Sequence, residues 1–340
     1  MRFNNNRKWI FLYVLIIGLL GSGNSFAEFF VPEKKVQTKK EVEAEVKEKT
    51  SPASTIVAEA PAPKPEPIQF SGYLSTAHNM GFAGEDIDNS TDFELVGKVK
   101  LSDKHSLKVV QQATKLYEVP EGDKDFAFVD TSLYHYMKLS DGLSLRSGIT
   151  IPVSEASQEE DIITKPNVML TATKSFMDNK LLLMFSPFFK YHWNKYNTTT
   201  GGSPLPFATL GKQLVGTYQL LPKLGYTGVF VGSSSLYNNK EKPIPSVGLL
   251  MDNTLAYSFT DQFSANVGYA HSTSVKLKET DDPAMASYQF KAGVAYALSD
   301  TFSTNFGISH GESYERGEKH KIIIFDPDKA SVSFGLDISF

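Results

Sequence analysis

The sequence predicts an all-β chain: a transmembrane antiparallel up-and-down β-barrel of about 14 strands, preceded by a disordered arm. Three observations predict it. The last strand alternates apolar and polar residues without interruption, a short turn recurs at nearly constant spacing, and no segment after residue 27 is apolar for long enough to span a membrane as a helix.

Residues 1–27 read as an export signal. Arg2, Arg7 and Lys8 precede an apolar run from Trp9 to Leu20, and the small residues that follow end at Ser25-Phe26-Ala27, with cleavage expected after Ala27. The run is shorter than the roughly 20 apolar residues of a spanning helix, so export without an inner-membrane anchor is expected. Cysteine is absent, which excludes disulfides, thiolate metal sites and the acylated cysteine of a lipoprotein. The formal charge is −4, and removing the three basic residues of the signal leaves 31 Lys+Arg against 38 Asp+Glu, or −7. That balance argues against nucleic acid as a partner.

Residues 28–67 are a different material. Glu33 to Lys49 is almost entirely Lys, Glu, Val, Gln, Thr and Ala, and Pro61, Pro63, Pro65 and Pro67 then alternate with Ala, Lys and Glu. Such a segment cannot bury a core. Glu43 with Lys47 and Glu45 with Lys49 have the favourable i,i+4 order for a marginal helix, and the proline end is expected to be extended. The segment reads as a solvated periplasmic linker, with docking on peptidoglycan or a periplasmic partner as its alternative.

From residue 68 onward the chain is organised by turns. Leu139-Ser140-Asp141-Gly142-Leu143, Phe259-Thr260-Asp261-Gln262-Phe263 and Leu298-Ser299-Asp300-Thr301-Phe302 share one pattern; Leu101-Ser102-Asp103-Lys104 and Phe176-Met177-Asp178-Asn179 are looser copies, and Leu221-Pro222-Lys223-Leu224 fills the remaining place. Asp and Gly favour tight reversals. Successive turns lie 38, 37, 44, 39 and 39 residues apart, and each interval holds two strand-like stretches around a longer polar loop. Propeller blades have a similar period but need about four short strands per repeat. Six short turns with both termini on the turn side require 14 strands, or 12 if one hairpin is lost.

The strands expected are 68–80, 91–101, 105–118, 124–139, 143–153, 167–177, 180–196, 208–221, 224–237, 246–259, 263–276, 286–298, 301–312 and 329–340, the third and ninth alternating poorly. The better strands assign their own faces, because successive side chains point to opposite sides. Leu143, Leu145, Ile149, Ile151 and Val153 face lipid, against Ser144, Arg146, Gly148 and Thr150; Tyr288, Phe290, Val294, Tyr296 and Leu298 oppose Gln289, Lys291, Gly293 and Ala295. Phe259, Phe263 and Phe302 beside short turns, and Tyr191, Trp193 and Tyr196 before a long loop, suit interfacial girdles.

The last strand carries Val332, Phe334, Leu336, Ile338 and Phe340 on one face, against Ser331, Ser333, Gly335, Asp337 and Ser339 on the other. It resembles the C-terminal assembly signal of Gram-negative outer-membrane β-barrel proteins, with Phe334, Leu336, Ile338 and Phe340 as the signal residues. The chain resembles the porin-like class over residues 68–340, without a motif of any particular member. The resemblance implies an outer-membrane location with both termini in the periplasm, contact with membrane lipid and lipopolysaccharide, and reading by the outer-membrane assembly machinery. The 14-stranded fatty-acid transporters differ in carrying an N-terminal hatch, and residues 28–67 are too polar to form one.

Charged residues expected to point inward are Glu94, Lys98, Lys100, Arg146, Lys190, Asp252, Lys291 and Asp337. A wetted pore uses such charges to set ion preference; a closed one pairs them. Inward Gly148, Gly268, Gly293, Gly307 and Gly335 are expected to leave lumen space, and a barrel of about 14 strands is wider than the eight whose side chains fill the interior. No cofactor and no metal site is expected, the acidic loops (Glu85 to Asp88, Glu121 to Asp125, Glu155 to Asp161, Asp281 and Asp282) having no EF-hand spacing. His271-Ser272 and His310-Gly311-Glu312 lack a visible third catalytic member, so the chain is not expected to be an enzyme. Three functions follow in order: passive diffusion of small hydrophilic solutes or ions, a non-conducting structural or surface-interaction barrel tethered by its arm, and an outer-membrane hydrolase.

Overall fold

The computed structural model describes residues 68–81, 89–117, 119, 124–196, 205–237, 244–276, 285–315 and 325–340. The export signal and the linker lie outside these residues, as do the acidic positions Glu85, Asp86, Asp88, Glu121, Asp123, Asp281 and Asp282.

Fourteen antiparallel strands form the wall: β1 (Gln69–Gly81), β2 (Ser90–Lys100), β3 (His105–Leu116), β4 (Thr131–Ser140), β5 (Leu143–Ile151), β6 (Asn167–Phe176), β7 (Leu181–Tyr191), β8 (Pro206–Leu221), β9 (Leu224–Tyr237), β10 (Ile244–Ser258), β11 (Phe263–Lys276), β12 (Met285–Ala297), β13 (Phe302–Glu315) and β14 (Ala330–Ser339). Each pairs with its chain neighbours, and β14 returns to β1 with Leu74 opposite Ile338 and Ser75 opposite Asp337. The sheet is closed and has no free edge. At the seam Gly72 and Phe340 exchange backbone hydrogen bonds of 2.8 and 3.0 Å.

All six expected short turns are present, but in three of them the recurrent Asp is not what closes the turn. The hydroxyl before it does so: Ser102 Oγ accepts from the amides of Lys104 and His105, Thr260 Oγ1 from those of Gln262 and Phe263, and Ser299 Oγ from those of Thr301 and Phe302. Asp103 and Asp141 instead pair with Lys100 and Lys138 at 2.7 and 2.6 Å. Left-handed backbone is used in two turns, at Gly142 (φ 79°) and along Met177, Asp178 and Asn179.

Two expected strands are divided. The fourth begins at Thr131, because Phe126–Phe128 forms a separate short ladder on β3 and the chain breaks at Val129-Asp130. The seventh ends at Tyr191, and Trp193–Asn194 leaves the wall to pair with Ile162–Thr164. The poorly alternating third and ninth are full strands. Their pattern is blurred because Val110, Val229 and Val231 point inward, while Gln111, Gly228 and Gly232 point outward.

Directly paired residues share a face, so the registers assign the sides of the whole wall. Outward apolar side chains are exposed around the circumference, among them Leu95, Leu107, Ile149, Leu170, Phe185, Leu214, Met251, Val267, Phe306 and Phe334. The predicted facing holds: Ile149 and Ile151 are exposed and Thr150 is buried, and Val294, Tyr296, Leu298 and Phe302 are exposed. Tyr288 also points outward, yet it is 2% exposed beside His310, Tyr314 and Phe290.

Candidate functional site in the barrel lumen

All eight expected lumen charges fall on the inward register. The registers add Asp92, Lys108 and Lys138, which sequence reasoning missed; Lys108 lies on the poorly alternating third strand and Lys138 on the fourth, which starts later than expected. The inward acids are held by neutral donors or by a single cation. Glu94 is buried and accepts from the Tyr73 hydroxyl and the Gln112 amide. Asp92 accepts from Thr114 and Asn79 at 2.7 and 2.8 Å, Asp337 accepts from Asn305 at 3.2 Å, and Asp252 pairs with Lys291 at 2.6 Å.

The inward bases are arranged differently. Apart from Lys291 on β12, those identified, Lys98, Lys100, Lys108, Lys138, Arg146 and Lys190, lie on β2 to β7, with Lys98 directly across from Lys108. Lys100 and Lys138 pair with turn aspartates at the rim. Arg146 stacks its guanidinium 4.7 Å from the Tyr134 ring centroid, and Lys190 stands between Asn167 and Thr209. Among the described residues neither Arg146 nor Lys190 has a carboxylate within ion-pair distance.

Beside them the loop between β5 and β6 is fastened to the wall. The Lys165 backbone exchanges 3.2 Å hydrogen bonds with that of inward-facing Thr150, so Lys165 takes the inward side. Its ammonium meets Asp130 at 2.9 Å, and the same carboxylate accepts from Ser154 N, Ser154 Oγ and Ser157 Oγ at 3.1, 2.6 and 2.5 Å. Ser154 also caps the one-turn helix α1 (Glu155–Glu159) by accepting from the Ser157 amide. Burial alone would raise the Asp130 pKa; the hydrogen bonds from Ser154, Ser157 and Lys165, with the Lys165 charge, outweigh it and hold the carboxyl at about 2. No local sequence signal joins residues 130, 154, 157 and 165.

Two expectations about the interior are corrected. The inward glycines do not leave open space: the Tyr134 ring lies against Gly148, the Lys291 stem against Gly268 and the Asn305 amide against Gly335, each within 3 Å of where a β-carbon would stand. Nor is the interior polar throughout. Met169, Leu182, Met184, Phe188, Val215, Val229, Val231 and Leu250 give β6 to β10 an apolar inner arc.

His271 and His310 take the outward register, across from Tyr288 and Phe290. None of the hydrogen bonds among the described residues joins either ring to a serine or a carboxylate, and both His310 nitrogens are buried without a partner. No group of three or more His, Cys, Asp or Glu positioned for a metal occurs among the described residues.

No family model matches the chain. No curated protein matches it either. Among solved structures it is similar to a loop L8 deletion mutant of OmpT, an outer membrane protein of Vibrio cholerae (10% identity, 81% of this chain and 99% of that one, TM-score 0.49). It is also similar to the outer membrane channel DcaP of Acinetobacter baumannii (7%, 80% and 97%, 0.48) and to OmpF of Salmonella typhi in complex with daunomycin (9%, 80% and 97%, 0.46). These neighbours are outer-membrane barrels; the fold of this chain is established by its own closed register.

Proposed function

We propose that this chain is an outer-membrane channel through which small hydrophilic solutes or ions diffuse passively, with both termini in the periplasm. One observation carries the reading: a closed 14-stranded wall turns exposed apolar side chains outward and charged side chains inward. An outward apolar belt of this extent is costly in water and favourable in lipid. Strands of 9 to 16 residues suffice to cross, since a tilted transmembrane strand needs about 9–11. The exposed rings of Tyr191, Trp193, Phe259 and Phe302 suit the two interfaces, and the terminal Phe340 suits recognition by the assembly machinery.

A second reading, a non-conducting barrel that displays its loops and is tethered to peptidoglycan by residues 28–67, is favoured by one feature. The β5–β6 loop is pinned on the inward side by Asp130. Single-channel recording of the purified protein in planar bilayers separates the two: discrete conductance steps support the channel, and a membrane with no steps above leak supports the closed barrel.

A further inference from the structure

We infer that the inner wall of β4 to β7 is a binding site for small organic carboxylates, the head group held by Arg146 and Lys190 and the apolar body lying on Met169 and Phe188. The inference deepens the channel reading by naming the solute class.

Counter-charge is the first argument. Lys190 stands across from Asn167, which also faces Gly148, the inward neighbour of Arg146 on β5, and Lys165 bonds to Thr150 on that same inward face with Asp130 as its ion-pair partner. A carboxylate has about four lone-pair sites, and those of Asp130 receive Ser154 N, Ser154 Oγ, Ser157 Oγ and Lys165 Nζ. It has no acceptor capacity left for Arg146 or Lys190. Among the described residues these two cations therefore have no carboxylate within ion-pair distance.

An unmade hydrogen bond is the second. Among the described residues Arg146 Nε is a buried donor without a hydrogen-bond partner. The register places Arg146 across from Tyr136, and Asn167 across from both Gly148 and Lys190 on the same inward face. Elsewhere on the inner wall the acids Asp92, Glu94, Asp252 and Asp337 are provided with donors. A buried donor left unpaired is costly, and an oxyanion on this wall supplies acceptors.

The neighbouring side chains choose among oxyanions. A guanidinium fork fits a carboxylate better than a spherical halide. Met169 lies directly across from both Arg146 and Phe188, and Phe188 shares the inward face of β7 with Lys190. Cations and an apolar surface thus adjoin, as an anion with a hydrocarbon body requires.

The test is calorimetric titration of the detergent-purified barrel with hexanoate and with acetate, against empty micelles. Hexanoate is expected to bind saturably and to bind at least roughly ten-fold more tightly than acetate, from burial of its extra methylenes. Arg146→Gln and Lys190→Gln should each weaken hexanoate roughly ten-fold or more, whereas Lys212→Gln, which removes an exposed outward lysine of β8, should leave it unchanged. Arg146→Lys, which keeps the charge, guards against misfolding and should retain part of the affinity. Absence of saturable hexanoate binding, or equal loss in Lys212→Gln, overturns the site; acetate binding as tightly as hexanoate overturns the role of Met169 and Phe188. In bilayers the reversal potential in a KCl gradient should favour chloride and shift toward neutrality in Arg146→Gln. A barrel that binds hexanoate without conducting sustains the site and overturns the channel, and one that conducts without binding does the reverse.

Discussion

Asp130→Asn should release the loop between β5 and β6 while leaving the barrel wall intact. The folded-state pKa of Asp130 is lowered from 3.8 to about 2, a difference worth roughly 2 kcal/mol of preferential stabilisation of the charged form. Because the shift is downward, that stabilisation is complete above about pH 4 and is lost as the pH falls from about 4 to about 2. The amide substitution has a similar effect at neutral pH. Its nitrogen cannot accept from Ser157 Oγ or Lys165 Nζ, which now share Oδ2, and the Lys165 ammonium, with its side chain only 17% exposed, loses its counter-charge. A loss of about 2 kcal/mol raises the population of the open loop about thirty-fold. Hydrogen exchange reads this at the amides of Gln158, Glu160 and Asp161, each bonded to a carbonyl within the loop, and at that of Lys165, which is bonded to the Thr150 carbonyl of β5. Faster exchange is expected at those four amides in Asp130→Asn, and in the unaltered protein below about pH 3 after correction for intrinsic rates, with no change along β10 to β13. Unchanged protection in Asp130→Asn, or loss spread evenly over the wall, would refute the reasoning.

Two further predictions concern the seam and the terminal strand. A β-carbon at Gly72 would stand 2.4 Å from the Val96 carbonyl and 2.8 Å from the Phe340 ring, whereas one at Gly97, its cross-strand partner, meets nothing within 4 Å. Gly72→Ala should therefore destabilise the barrel by about 1–3 kcal/mol and Gly97→Ala by little, read as urea midpoints; equal shifts would contradict the packing at the seam. Deleting Phe340, which is 68% exposed on the outward face, should reduce membrane assembly more than conductance, and Asp337→Leu, on the inward face, the reverse. The opposite pattern in membrane yield and single-channel recordings would overturn the face assignment.

Strand number, turn positions and facing were legible because each is encoded locally. A short reversal needs only a few adjacent residues, such as Leu298-Ser299-Asp300-Thr301-Phe302, and a strand between two solvents must alternate with a period of two. Misreadings occurred where that local signal is absent. The apolar arc around Val215 and Phe188 hides alternation because both faces are apolar there, and the break at Val129-Asp130 depends on partners 24 to 35 residues away.

The chain by itself determined a two-faced wall of 14 strands and the side on which Arg146, Lys190, Asp252 and Asp337 stand. Only the closed tertiary structure decided which of these charges are satisfied. Asp252 meets Lys291 across 39 residues of sequence, while Asp130 gives its whole acceptor capacity to Lys165, Ser154 and Ser157, and among the described residues Arg146 and Lys190 have no carboxylate within ion-pair distance. Periodicity fixes the direction of a side chain from its neighbours in sequence. Its electrostatic partner is fixed by strand register and loop docking, which bring together residues that no local pattern connects.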